Sequence, residues 1–272
     1  MKKLFITLLM VCSLTASNVS AQQKSTVTRF EGKSINGLIV DGAFDVKLSQ
    51  GAESSMKIEI RDDLKEKLNL DLTEQGYLRL DYGSELGKYF TGKNRPVATI
   101  VVSRLDYLKM AGVTSVIAHG DIHSQGNFSL ILSGSAFLDA LHIICQGAFI
   151  SVDGGAKIES NTKIEASDSV RIETSGASKS SMVVWTKVLR VSTALTSLLE
   201  LSGSCDSMVA TSGAASRIEM LAIQCPDINA TTSGMSSIKA NITGKATVFT
   251  NGASSFRYIG PGVVSGDGAK KL

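Results

Sequence analysis

Short runs of alternating apolar and polar residues recur through the second half of the chain. Examples are Lys157-Ile158-Glu159, Lys163-Ile164-Glu165 and Val170-Arg171-Ile172-Glu173. Because successive side chains of a strand point to opposite faces, this period of two places the aliphatic residues on one face and the charged residues on the other. Apolar residues keep helical spacing for no more than one turn in these segments, so the pattern predicts strands.

A phrase of small residue, glycine and small residue separates the alternating runs. It occurs at Ala111-Gly112-Val113, Ser133-Gly134-Ser135, Gly154-Gly155-Ala156, Ser175-Gly176-Ala177, Ser212-Gly213-Ala214, Ser233-Gly234-Met235 and Asn251-Gly252-Ala253. The central glycines are 22, 21, 21, 37, 21 and 18 residues apart, and Thr193-Ala194-Leu195 lies in the longest gap, where one more copy would fall. A repeat of about 20 residues indicates an architecture of stacked units.

A β-solenoid explains both the alternation and the repeat. Its coils stack ~4.8 Å apart, so a tight corner recurs at the same place in each coil, and glycine suits this corner because it adopts positive φ without strain. We therefore predict an all-β parallel β-helix with coils of about 20 residues. The predicted structural corners are Gly42, Gly112, Gly134, Gly155, Gly176, Gly213, Gly234 and Gly252. Ala194, where a glycine is expected, predicts one relaxed corner.

The first third of the chain follows the pattern less regularly. Residues 38–48 match 108–116 in the position of the glycine and in the alternation that follows, so the stack is expected to start near residue 35. Residues 62–68 predict a short helical turn, Gln75-Gly76 a hairpin, and 82–96 a long loop. Together these features predict an irregular N-terminal cap that covers exposed strand edges.

Residues 1–21 have the pattern of a secretory signal peptide. Lys2-Lys3 precede an apolar stretch, and Val19-Ser20-Ala21 forms a small-residue cleavage site. Cys12 follows Val11 rather than a small residue, so a lipid anchor is not expected. The remaining chain is predicted to comprise a lead at 22–34, a solenoid domain at 35–262 and a flexible tail at 263–272. No segment after the signal peptide is predicted to cross a membrane, because none is apolar over about 18 residues.

The composition of the chain limits the classes of partner that it is expected to bind. Without Lys2 and Lys3, 26 basic residues face 25 acidic residues, and the basic residues form no concentrated run. Such a chain is not expected to bind nucleic acid. With 43% hydrophobic but only 6% aromatic residues, the chain can fill a narrow, mainly aliphatic core.

Three cysteines remain after cleavage of the signal peptide. Cys145, Cys205 and Cys225 are separated by 60 and 20 residues, which are multiples of the repeat. Two interpretations stay open, namely buried free thiols or a disulfide between Cys205 and Cys225 on adjacent coils.

Several of these motifs together resemble a known family. The opening Val40-Asp41-Gly42-Ala43-Phe44-Asp45-Val46 with Gln50-Gly51, the repeated Ser-Gly-Ala corners, and the ending Gly252-Ala253-Ser254-Ser255 followed by Tyr258-Ile259-Gly260 are similar to the head GIN domain of putative auto-transporter adhesins from Bacteroidota. The resemblance covers residues 35–260 approximately. It implies a secreted, single-stranded, right-handed β-helical domain, and it implies no catalytic residues or cofactor.

The three histidines of the chain suggest a metal site. His119, Asp121 and His123 alternate on one predicted strand, and His142 follows about one coil later. Imidazole and carboxylate groups are zinc ligands, so these four residues are a candidate site. The alternative is that they are scattered surface histidines, because Gly120 can interrupt the strand with a solvated turn.

Acidic residues of the coils are candidates for sugar chemistry, which uses paired carboxylates. They are Asp139, Asp153, Glu159, Glu165, Asp168 and Glu173. Because Lys157, Lys163 and Arg171 alternate with them, a charge-balanced surface fits the pattern better. No nucleophile elbow, Cys-x-x-Cys or dinucleotide-binding glycine motif occurs. Asp168-Ser169-Val170 and Asp206-Ser207-Met208 are candidate acceptors of O-linked glycan.

These observations support three functions. The leading prediction is an exported, non-catalytic binding or adhesion module of the periplasm, outer-membrane surface or extracellular space. It would bind glycan or an envelope protein through an outer face, because coils of this size close around aliphatic side chains and leave no internal cavity. The alternatives are a carbohydrate-active enzyme of the polysaccharide lyase or glycosidase type, and an envelope protein that assembles end to end through its terminal coils.

Overall fold

The computed structural model describes residues 24–272, and of residues 84–86 and 93 it describes the backbone alone. The predicted signal peptide, 1–21, lies outside the described residues. The described chain forms 24 strands that join into one continuous sheet, which winds into a β-solenoid of about 8 turns with coils of about 20 residues. The predicted fold class is therefore confirmed.

The N-terminal region, residues 24–105, is irregular and is called the cap below. Its strands are β1 (Lys24–Arg29), β2 (Gly37–Gly42), β3 (Asp45–Gln50), β4 (Ser55–Arg61), β5 (Leu68–Leu72), β6 (Tyr77–Tyr82) and β7 (Val97–Val102), with 3-10 helices at Asp62–Lys67, Ser84–Tyr89 and Gly92–Asn94. β4 pairs antiparallel with β1 and β7, and β5 pairs antiparallel with β6. β2 and β3 instead pair in parallel with strands of the first regular coil.

The cap differs from the sequence prediction in two places. The expected lead, 22–34, contributes β1 to the sheet and so is part of the fold. The long loop predicted at 82–96 contains two of the 3-10 helices. The short helical turn after β4 and the hairpin around Gln75-Gly76 form as predicted.

The coils after the cap pair in parallel throughout. Their strands are β8 (Tyr107–Gly112), β9 (Ser115–His119), β10 (Asp121–His123), β11 (Asn127–Leu132), β12 (Phe137–Asp139), β13 (His142–Val152), β14 (Lys157–Ile158), β15 (Lys163–Thr174), β16 (Lys179–Thr193), β17 (Leu198–Ser212), β18 (Arg217–Gln224), β19 (Asp227–Thr232), β20 (Ser237–Asn241), β21 (Lys245–Thr250), β22 (Ser255–Ile259), β23 (Val263–Gly266) and β24 (Ala269–Lys271). β23 pairs with β21 and β24 with β22, so the tail predicted to be flexible, 263–272, continues the stack.

Aliphatic residues fill the interior of the coils. Ile143, Ile150, Ile164 and Ile172 are fully buried, and their polar neighbours face outward, as the alternation predicted. Each such side chain stabilises the fold by about 1.5–3 kcal/mol through burial. Four phenylalanines are also fully buried, with Phe44 and Phe90 in the cap, Phe128 in β11 and Phe256 in the last full coil.

A column of left-handed residues runs along one edge of the solenoid and is called the corner column below. Its regular members have φ between 56° and 72° and are Gly112, Gly134, Gly154, Gly176, Leu195, Ala214, Gly234 and Gly252. From Gly112 to Gly234, the residue after each member donates its N–H to the carbonyl of the residue that holds the corner one coil earlier. Ser135 donates to Gly112 over 2.7 Å, and Ala215 donates to Leu195 over 2.9 Å. These hydrogen bonds fix the stacking of successive corners.

The corner column corrects two of the predicted glycines. Gly155 and Gly213 lie in their corners, but Gly154 and Ala214 hold the left-handed position there. Gly42 begins the column with a φ of 131°. In the coil of Thr193-Ala194-Leu195 the left-handed residue is Leu195, and the Thr196 N–H still donates to the Gly176 carbonyl over 3.0 Å. This corner is therefore not relaxed.

The three described cysteines are buried free thiols, as one of the two interpretations held. Ser204 pairs with Gln224, so Cys205 and Cys225 lie side by side on adjacent coils. The neighbouring Cys225 thiol together with burial raises the pKa of Cys205, and the Cys225 thiol donates a hydrogen bond to the Asp227 carbonyl over 3.3 Å. Burial alone raises the pKa of Cys145 to about 11.

Candidate binding face

Three polar side chains from consecutive coils meet on one outer face. Asp121 begins β10 and pairs in register with His142, which begins β13, and Glu165 lies one coil further in β15. His142 Nδ1 lies 2.7 Å from Asp121 Oδ1, and His142 Nε2 lies 2.8 Å from Glu165 Oε1. The imidazole thus bridges two carboxylates, and its cationic form donates a hydrogen bond to both of them.

This bridge does not correspond to the predicted zinc site. Both ring nitrogens of His142 face carboxylates, so neither is free for a metal ion. Gly120, at φ 75°, turns the chain so that His119 ends β9 while Asp121 and His123 lie in β10. Between residues 24 and 272, the described side chains include no group of three or more His, Cys, Asp or Glu arranged to hold a metal. His119 and His123 are exposed, as the surface interpretation expects.

Trp185, the only tryptophan of the chain, lies beside the His142 bridge. It is 37% exposed because it takes an outward position in β16, next to the buried Val184. Trp185 pairs with Glu165, which in turn pairs with Ile144. A shallow groove of about 380 Å³ runs beside the indole, bordered by Ile144, Glu165 and Lys187 among others.

The column that contains Trp185 continues across the stack. In order of coils it comprises His123, Ile144, Glu165, Trp185, Ser204 and Gln224. At ~4.8 Å per coil, its five steps span about 24 Å. This column together with Asp121 and His142 is called the Trp185 face below. Beyond the indole it presents only small or polar side chains, so the face is open along the solenoid axis.

Polar residues also lie at the bend that follows the groove. Gln146 Nε2 donates to Asp168 Oδ2 over 3.0 Å, and Lys187 Nζ lies 3.8 Å from Asp168 Oδ1. Carboxylate, amide, imidazole and ammonium groups are therefore arranged around one exposed aromatic ring. Such a surface can pack against a flat apolar face of a ligand while it hydrogen-bonds to hydroxyl groups around that face.

Three of the other candidate carboxylates are held by cations or amides. Glu159 accepts a hydrogen bond from Lys157, Glu173 from Arg171, and Asp139 from Asn161. They form the charge-balanced surface that the alternation predicted. Ser169 and Ser207 are half-buried within β15 and β17, and their modification stays a prediction.

Sequence reasoning missed Trp185 and the role of Glu165. The signal for Trp185 was present, since Met182 and Val184 are inward positions of the same run and the residue after Val184 must point outward. Glu165 follows His142 by 23 residues, whereas His142 follows Asp121 by 21. An average repeat length does not resolve this difference, so the contact was not predicted.

Comparisons with known proteins place the fold in a family. The family model described as "Putative auto-transporter adhesin, head GIN domain" matches residues 35–166 and 148–262. No curated protein sequence matches the chain significantly. None of the helices between residues 24 and 272 has the length and apolar character needed to cross a membrane.

Solved structures share the architecture at low sequence identity. A putative adhesin from Parabacteroides merdae is 16% identical, with a TM-score of 0.62 over 93% of this chain and 94% of that one. A putative adhesin from Parabacteroides distasonis is 12% identical, with a TM-score of 0.64 over the same shares. A putative lipid binding protein from P. distasonis is 14% identical, with a TM-score of 0.53 over 93% of this chain and 98% of that one. At these identities the likeness concerns the fold alone.

Proposed function

Because this chain belongs to the head GIN domain family of putative auto-transporter adhesins, we propose that it is an exported adhesion module that binds glycan chains through the Trp185 face. Adhesins act at the cell surface or outside the cell, and the signal-peptide pattern of residues 1–21 agrees with export. The observation that carries the choice of face is the exposed indole of Trp185 beside the bridged carboxylates of Asp121 and Glu165.

The chemistry of the face suits a sugar. One side of a pyranose ring presents C–H groups that pack on an indole, while its hydroxyl groups project sideways. Around Trp185 these hydroxyls meet the carboxylate of Glu165, which accepts hydrogen bonds, and the ammonium group of Lys187, which donates them. Because His142 holds Glu165 in place, little side-chain freedom is lost when a ligand binds.

The geometry of the face suits a chain of sugars rather than a single one. Equivalent positions recur at each coil over about 24 Å, which is longer than a disaccharide. Individual contacts on an exposed surface are weak, at about 0.5–1.5 kcal/mol for a hydrogen bond. Contacts that repeat along one polymer add up, so we expect long or surface-arrayed glycans to bind more tightly than short ones.

We infer that the face binds without turnover. Its carboxylates lie on an open surface, with Asp121 61% and Glu165 45% exposed, rather than in a desolvated cleft. A catalytic acid needs an environment that raises the pKa of its carboxyl, and an open surface does not provide one.

Fluorescence of Trp185 tests the proposal directly, because no other tryptophan contributes. Titration with bacterial and host polysaccharides should quench or blue-shift the emission, and oligomers should bind more weakly than polymers of the same sugar. On a glycan array, Trp185→Ala should lose the signal, whereas Phe249→Ala, which removes an aromatic ring that is 60% exposed elsewhere, should keep it. A Trp185→Ala protein that still binds, or release of sugars lost on Glu165→Gln, would contradict the proposal.

A further inference from the structure

A larger cavity lies in the cap, away from the Trp185 face. It has a volume of about 790 Å³ and opens between the start of the corner column and the segment 83–96, which is called the cap loop below. Gly42, Gly112 and Val113 border it from the column, and Phe90 and Thr91 border it from the loop. Trp185 belongs to a coil three steps further along, at least ~14 Å away along the axis. The predicted absence of an internal cavity concerned the coils, and this cavity lies outside them.

Contacts on both sides hold the cap loop above the column. Phe90 is 1% exposed, and its ring centroid lies 4.5 Å from that of Tyr82, which lies 5.2 Å from that of Phe44. The Tyr82 hydroxyl accepts a hydrogen bond from the Ala43 N–H. Arg95, at the end of the loop, donates to the carbonyls of Phe44 and Val113. These contacts fix the two walls of the cavity relative to each other.

The walls are mainly apolar, with charged groups at defined points. Tyr82 and Val113 supply accessible apolar surface, whereas the charged side chains are Asp41, Asp45, Asp81 and Arg95. Arg95 Nη1 lies 3.1 Å from Asp45 Oδ1, so this pair compensates its own charge. Asp81 accepts a hydrogen bond from the neutral amide of Asn69 over 2.6 Å, which leaves its negative charge in place. Among the described lining residues, Asp41 and Asp81 thus carry the uncompensated charge.

We propose that this cavity binds a small organic cation, in which an ammonium group is carried on an apolar body. The volume lies within the range of about 300–1,000 Å³ that is usual for small-molecule sites. The apolar body would pack on Val113 and Tyr82, and the ammonium group would face Asp41 and Asp81. The ring of Tyr82 offers a further contact to a cation.

A series of probes with one apolar chain and different head groups tests this proposal by calorimetry. Hexylammonium should bind saturably and at least about tenfold more tightly than hexanol, with hexanoate weaker still, and added salt should weaken the ammonium alone. The double variant Asp41→Asn and Asp81→Asn, which keeps size and hydrogen bonding, should lose at least about tenfold in affinity for hexylammonium. The double variant Asp153→Asn and Asp206→Asn removes two exposed carboxylates outside the cavity and should bind as the wild type does.

Three outcomes would overturn the proposal. They are saturable binding of hexanoate as tight as that of hexylammonium, unchanged affinity in the Asp41/Asp81 variant, and no saturable binding of any probe. Circular dichroism confirms that each variant is folded. Because the cavity is distant from the indole, hexylammonium should leave the fluorescence of Trp185 unchanged. Failure at this site and failure of glycan binding are therefore separate results.

Discussion

The corner column and the cap loop are both rich in glycine but use it for opposite reasons. At the six glycines of the column, from Gly112 to Gly252, an added Cβ would lie 2.5–3.1 Å from the carbonyl oxygen of the member one coil earlier. At Gly83, Gly87 and Gly92 of the cap loop, an added Cβ would meet nothing within 4 Å. Glycine in the column allows coils to approach, whereas glycine in the loop leaves space unfilled.

This difference explains where the molecule can hold a ligand inside a concave site. Contacts between coils repeat along the column, so that region is closed and regular. The cap loop is anchored by the packing of Phe90 on Tyr82 and by the hydrogen bonds of Arg95, and two of its glycines, Gly87 and Gly92, line the cavity. We therefore expect the same substitution to change the free energy of unfolding by different amounts in the two regions.

The largest effect is expected for Gly176→Ala in the column. Its φ is 70°, and the new Cβ would lie 2.5 Å from the oxygen and 2.7 Å from the nitrogen of Gly154. Left-handed strain and overpacking each cost about 1–3 kcal/mol, so the free energy of unfolding should fall by about 3 kcal/mol. The midpoint of urea denaturation measures this loss.

Two matched variants serve as controls. Gly213 precedes the column member Ala214 in the same corner, but its φ is not left-handed, and the Cβ of Gly213→Ala would have Ser233 Oγ at 3.6 Å as its nearest neighbour. Gly87→Ala places the same methyl group in the open loop. Both should change the free energy of unfolding by less than ~0.5 kcal/mol. A Gly176→Ala protein as stable as either control would show that the coils do not approach this closely.

The same contrast explains what the sequence could predict. Strand alternation and the spacing of the corners express coil geometry directly, so the fold and its repeat were predictable. The left-handed residue of each corner was not, because Gly154 and Gly155 are adjacent and Ala214 takes the position beside Gly213. The cavity had no sequence signal at all, since it depends on contacts between Phe90, Tyr82 and Ala43 that are distant in sequence.

The coils and the cap loop should also differ in how fast their thiols react. Burial raises the pKa of Cys145 to about 11, whereas an exposed cysteine has a pKa of about 8.5. At pH 8, a thiol reagent should therefore react with Cys145 at least ~100-fold more slowly than with a cysteine introduced by Gly87→Cys in the cap loop. The rate at Cys145 should rise as the pH approaches 11, because the thiolate is the reactive form.

Urea-unfolded protein is the control, in which all three native cysteines should react rapidly. Mass spectrometry of native protein alkylated at pH 8 should find Cys145, Cys205 and Cys225 unmodified and unbridged. Rapid modification of Cys145 in the native state would mean that the coils open more readily than their packing indicates.

The smallest effect is expected where the column itself departs from glycine. Leu195 holds the left-handed position with φ 59°, and 54% of its surface is exposed. A non-glycine residue in this conformation costs roughly 1–2 kcal/mol, whereas glycine lowers stability by about 0.5–1 kcal/mol through the entropy of the unfolded chain. Since the exposed side chain contributes little burial, Leu195→Gly should raise the free energy of unfolding by about 0.5 kcal/mol.

The control Leu198→Gly, on a strand of the same coil, should lower it, because glycine weakens a strand interior. If Leu195→Gly instead destabilises the protein as Leu198→Gly does, the leucine side chain stabilises this corner by contacts that outweigh its strain. A corner would then not need glycine in the left-handed position to be stable.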